Sequence, residues 1–91
     1  MSASMLSVTF VTAHQTVWEG EASYVRVPAA DGSMGLLPNM APVLAALQPG
    51  IVEITRADGS QFAMQVTGGF VSVDHSTVKV VVDEANELTA A

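Results

Sequence analysis

Cysteine is absent from this 91-residue chain, so disulfides and thiolate chemistry are excluded and the redox compartment is left open. Basic residues are nearly as scarce. Three stand against nine acidic ones, a formal charge of −6 that argues against a nucleic-acid or anionic-membrane surface. No apolar run approaches the roughly 20 residues that span a bilayer. Met1–His14 also lacks the basic flank and sustained apolar stretch of a secretory signal. The expectation is no direct membrane insertion, with any work at a membrane done through another protein. The two histidines, His14 and His75, have no neighbouring ligand set, whereas a zinc site needs three or four convergent ligands. Neither a GxSxG elbow nor a GxxxxGK[ST] loop is present, and the only lysine, Lys79, falls inside an expected strand. We therefore expect no catalytic residue, metal or cofactor, and no hydrolysis or tight binding of ATP by the chain itself.

What is present is apolar residues, at 49% of the chain, in short alternating stretches. That is enough for one small globular domain. Leu6–Thr12 alternates with Leu6, Val8 and Phe10 on one face. Ala13–Gly20 reads as a turn and a short strand broken at Gly20. In Glu21–Pro28, Ser23, Val25 and Val27 share a face opposite Ala22, Tyr24 and Arg26, and Pro28 ends the strand or holds it at an edge. Ile51–Arg56 and Gln61–Val66 flank Asp58-Gly59 and predict a hairpin with Val52, Ile54, Phe62, Met64 and Val66 inward. A second hairpin follows Gly68-Gly69, with Val71 and Val73 facing Val78, Val80 and Val82 across Asp74-His75-Ser76. Asp31, Asp58 and Asp74 fall in turns, which their side chains are suited to close. The fold class is all-β: a small two-layer β-sandwich, or flattened barrel, of short, mostly antiparallel strands. The expected domain covers residues 1–85, with a short acidic tail at 86–91; from Glu84 onward the chain starts a helix or frays.

The stretch Asp31–Gly50 organises the rest. Gly32, Gly35, Pro38, Pro42 and Pro49 shape a connector that is almost free of charge. Such a connector packs across sheet and displays a surface. Within it Met34–Leu37 and Val43–Gln48 are read as short strands or extended segments. Trp18 and Tyr24, the only large amphipathic aromatics, suit either core or interface.

Several ordered motifs carry a likeness. Gly32-x-x-Gly35-Leu36-Leu37-Pro38-x-x-Ala41-Pro42-x-Leu44 and Leu47-x-Pro49-Gly50 resemble the N-terminal β-sandwich domain of the F-type ATP synthase epsilon subunit. The opening strand Val8–Ala13, Trp18-Glu19-Gly20, Val25-x-Val27, Phe62-x-x-Gln65-x-x-Gly68-Gly69-Phe70-x-x-Val73 and Val78–Val82 agree with it. The resemblance implies a non-catalytic subunit of the rotor stalk that couples the gamma subunit and the membrane c-ring in proton-driven ATP synthesis. It also implies a peripheral location on the cytoplasmic face of the bacterial cell membrane, through the synthase complex. Carried over by motif, the protein-interface candidates are Asp31, Gly32, Ser33, Asn39 and Met40.

The chain departs from the family pattern at three of these. The family commonly has an acid at the Ser33 position, glycine at Asn39 and histidine at Met40. Ser33 removes a charge, Asn39 still admits left-handed geometry, and Met40 offers a soft apolar contact placed outside the core. The family usually continues into a C-terminal helical hairpin, whereas this sequence stops at Ala91, as a short subunit or a fragment. The alternative function is a freestanding β-sandwich module for a peptide or carbohydrate, which needs a concave face with exposed aromatics.

Overall fold

Alternation in the sequence becomes nine strands in the computed structural model, which describes residues 5–88. They are β1 (Leu6–Thr12), β2 (Thr16–Ala29), β3 (Gly32–Leu36), β4 (Val43–Leu47), β5 (Gly50–Arg56), β6 (Gln61–Val66), β7 (Gly69–Asp74), β8 (Thr77–Val82) and β9 (Ala85–Glu87). No helix forms among the described residues. Strand β2 joins the two layers. Its first half pairs with β1, whose other edge leads through β8 and β7 to β4. Its second half pairs with β3 on one side and β5 on the other, followed by β6 and β9. The pair Ala29↔Leu47 closes β4 onto β2. All pairings are antiparallel except β1 with β8.

The inner faces supply the core by simple period-2 logic. Leu6, Val8 and Phe10 meet Val71, Val73, Val78, Val80 and Val82 in one layer. Val25, Val27, Leu36, Val52, Ile54, Met64 and Val66 line the other, and no polar or charged residue is buried among those described. Phe62, expected inward with Met64, is only half-buried. It stacks edge-on against Trp18, with ring centroids 5.3 Å apart, and carries the Arg56 guanidinium 4.3 Å from its centroid.

Four local expectations are corrected. Gly20 does not break the chain, because β2 runs on for 14 residues. A register shift between Ala22 and Tyr24 then turns Ala22 inward with Val25 and Val27, whereas simple alternation set it opposite them. The extra residue of a bulge resets the side-chain phase. Pro28 neither ends β2 nor marks a free edge: it is buried, pairs with Ser33, and its carbonyl accepts the Gln48 N–H at 2.8 Å. Ala85–Glu87 neither starts a helix nor frays, but pairs with the exposed edge of β6.

Gly69 is required by both backbone and space. Its φ is +145°, and a Cβ there would collide with the Val81 carbonyl oxygen of β8. The double glycine thus lets β7 start flush against β8.

Candidate protein interface

The five residues singled out by motif do not form one patch. Asp31, Gly32 and Ser33 lie at the β2–β3 hairpin, all exposed. Neither Ala30 nor Asp31 takes positive φ; Gly32 does, at +130°, with nothing within 4 Å of a built Cβ, so conformation rather than crowding requires glycine there. Ser33 Oγ accepts a hydrogen bond from Arg26 Nη2 at 3.1 Å. This hairpin borders the C-terminal end of β4, where the Ala30 N–H donates to the Ala46 carbonyl at 3.0 Å.

Asn39 and Met40 precede β4 and sit at its other end, beside the β7–β8 turn. The Asn39 N–H donates to Ser76 Oγ at 2.8 Å, and Asn39 has the left-handed φ, +66°, that its residue type tolerates. Five residues of β4 separate the two groups, about 13 Å at a strand's rise per residue. Met40 is also not a free contact. It is half-buried, packs against the core, and its Sδ accepts the Leu37 N–H at 3.4 Å. A thioether in a loop beside a sheet finds apolar contacts more readily than water, so the expectation that Met40 stands outside the core is corrected.

Sequence reasoning missed an apolar display that spans four strands. On the outer face of β4, β7, β8 and β1, Ala46 stands opposite Phe70, Phe70 opposite Val81, and Val81 opposite Val11. These four residues form one unbroken apolar row across four strands, about 14 Å wide at a strand spacing of about 4.8 Å. Phe70 is 47% exposed, and Leu44, in the adjacent row opposite Ser72, is 76% exposed. A signal was legible: Val80, Val81 and Val82 break the polar-out alternation, as strands covered on both faces do. Lys79 lies in the same outer face, exposed, opposite Ser72 and Thr9. It is not the buried lysine that its strand position suggested.

The opposite outer face is mostly polar, with Ile51 exposed opposite Gln65. Gly35, Arg26, Glu53 and Ala63 form one cross-strand row, and Tyr24, Thr55 and Gln61 another. An open concavity of about 690 Å³ lies here, with Tyr24, Glu53, Arg56, Phe62, Glu87 and Leu88 among its lining residues. Tyr24 itself lies over Gly35, where an added Cβ would stand 2.9 Å from Tyr24 Cε1. Among the turns, Asp58 Oδ1 accepts from the Ser60 hydroxyl at 2.6 Å and from the Ser60 N–H at 2.9 Å. Those bonds, the hydroxyl first, hold its carboxyl below the usual value. Asp74 instead pairs with His75 Nδ1 at 2.9 Å. No cluster of three or more metal-ligating side chains occurs among the described residues.

The sequence model of the ATP synthase Delta/Epsilon chain beta-sandwich domain matches residues 5–88. The chain belongs to this family. An ATP synthase epsilon chain from Bordetella petrii is 38% identical over 80 residues, covering 88% of this chain and 57% of that protein. One from Synechococcus elongatus is 39% identical over 80 residues, covering 88% of this chain and 58% of that protein. The chain therefore spans less than two thirds of these epsilon relatives. A chain of the Euglena gracilis mitochondrial ATP synthase (OSCP/F1/c-ring) superposes with a TM-score of 0.88 at 21% identity, covering 93% of this chain and 54% of that one. A chain of the Tetrahymena thermophila mitochondrial ATP synthase central stalk and c-ring superposes with a TM-score of 0.74 at 20% identity, covering 89% and 65%. At such identities the likeness is one of fold. The family match spans all nine strands of the sandwich.

Proposed function

We propose that this epsilon-type sandwich is a non-catalytic element of the F-type ATP synthase rotor, carried at the central stalk between the gamma subunit and the c-ring. Family membership supports the complex. The apolar row Ala46–Phe70–Val81–Val11 with Leu44 is the observation that carries the mode of action. A sheet face with Leu44 at 76% and Phe70 at 47% exposure suits permanent cover by another protein. On this reading the row seats on gamma, and the β2–β3 hairpin with Asp31, Gly32 and Ser33 points to the polar loops of the ring. Coupling then needs no chemistry in the sandwich: it transmits torque as a rigid body whose layers share β2. Its bacterial relatives suit a peripheral location on the cytoplasmic face of the cell membrane, held there by the complex.

The freestanding peptide- or carbohydrate-binding alternative would use the concavity beside Tyr24 and Phe62. Recovery of partners separates the readings. Tagged chain should bring down gamma and the c-ring from its host, and Phe70→Asp should not, with both proteins melting alike. Normal recovery by a folded Phe70→Asp protein would move the interface off this face.

A further inference from the structure

Three non-glycine residues among those described take positive φ: Asn39 at +66°, His75 at +52° and Ser76 at +62°. All three meet at one corner of the molecule, where the Asn39 N–H is bonded to Ser76 Oγ at 2.8 Å. His75 and Ser76 are the central pair of a two-residue hairpin between Asp74 and Thr77, the geometry that favours asparagine and glycine. Consecutive left-handed residues with full side chains are costly and persist where something else requires them. Ser76 has a visible reason, since it also ties β1 through the Ser7 N–H, bonded to its carbonyl at 2.8 Å. His75 takes this backbone because a two-residue hairpin needs both central residues left-handed, and among the described residues its side chain makes no further tie beyond Asp74. Its side chain is 93% exposed and touches Asp74, itself 65% exposed.

The chemistry of the pair has a direction. His75 Nδ1 lies 2.9 Å from Asp74 Oδ1, and the exposed Asp74 carboxylate keeps Oδ2 as a further acceptor. Both border a shallow concavity of about 400 Å³ whose other walls are Asn39, Met40, Pro42 and Ser76. This corner continues the apolar face: Pro42 leads directly into β4, and Leu44 stands opposite Ser72, two residues before Asp74.

We propose that the Asn39–His75 corner is a second, polar contact on the stalk-facing side, and that it receives an arginine or lysine from the partner at the end of the partner's apolar strip. The proposal rests on the rotor reading above and adds the chemistry that fixes the docked position. Apolar rows slide easily over one another, whereas a charge-assisted hydrogen bond at one end sets a single register. The exposed Asp74 carboxylate, on a chain of formal charge −6, favours a basic group there.

The test uses affinity for isolated gamma subunit from the same host, measured at several salt concentrations, with thermal melts of every variant. His75→Gly relieves the backbone, so it should melt at or above wild type while binding about tenfold more weakly, the loss of roughly one charge-assisted bond. Asp74→Asn should weaken binding similarly and flatten its salt dependence. Wild-type affinity in both variants, with Phe70→Asp defective, would overturn the corner and leave the apolar face standing. Weaker binding with unchanged salt dependence would overturn the basic partner. Wild-type binding by Phe70→Asp would remove the rotor-face reading and this proposal together.

Discussion

The two outer faces of this sandwich share one core and differ in almost everything else. Both are built from strands whose inward positions are apolar, chiefly valine, leucine and isoleucine, with Phe10, Ala22 and Met64 among them. Outward, β4, β7, β8 and β1 carry Ala46, Phe70, Val81 and Val11 in register, while β2, β5 and β6 carry Arg26, Glu53, Tyr24, Thr55 and Gln61. The inner rows hold the fold, and on the function proposed above the outer rows divide docking from solvation.

The sharpest way to break the contrast is at Gly69, where β7 enters the apolar face. Gly69→Ala forces a Cβ onto the Val81 carbonyl at a φ of +145° and should cost on the order of 3 kcal/mol. Chemical denaturation should show it, together with loss of partner recovery. Next comes the face itself. Phe70→Asp combined with Leu44→Asp should leave the melt within about 0.5 kcal/mol of wild type, because both residues are exposed. The same protein should lose partner binding at least about a hundredfold. Gln61→Asp on the other face should change neither.

A smaller effect tests where Met40 belongs. Met40→Asp should destabilise the isolated sandwich by about 1–3 kcal/mol, since a carboxylate would replace a thioether packed on the core. An unchanged melt would return Met40 to the surface. The smallest effect is expected at Asp58, on a turn away from the apolar row. Its folded pKa is lowered by Ser60, so its contribution is complete above the unfolded value and fades as pH falls below about 4. Asp58→Asn should remove that segment of the pH dependence of the melt and leave partner binding intact.

Much of the fold was legible because its causes are local. Period-2 alternation placed Val52 and Ile54, Val71 and Val73, and Val78, Val80 and Val82 inward, and the Asp58-Gly59 pair announced its hairpin. Alternation failed at Ala22, where a bulge shifts the phase, and at Ala85–Glu87, where three residues gain strand structure from the waiting edge of β6. Neither event has a cause inside its own segment.

The candidate interface divides the same way. The motif carried Asp31, Gly32 and Ser33 to one exposed hairpin, and residue type allowed Asn39 its left-handed backbone. By itself, the sequence determined the all-β class, the inward rows, the turns that need glycine and the epsilon-like signature. The tertiary structure alone decided that Asn39 and Met40 sit at the far end of β4, and that Val11, Ala46, Phe70 and Val81 form one row. Those residues come from four separated segments, and side-chain alternation says which way each points but not which strand lies beside it. Strand order and register are set by closing the whole sheet around its core, where a shift of one residue would turn every inward valine outward.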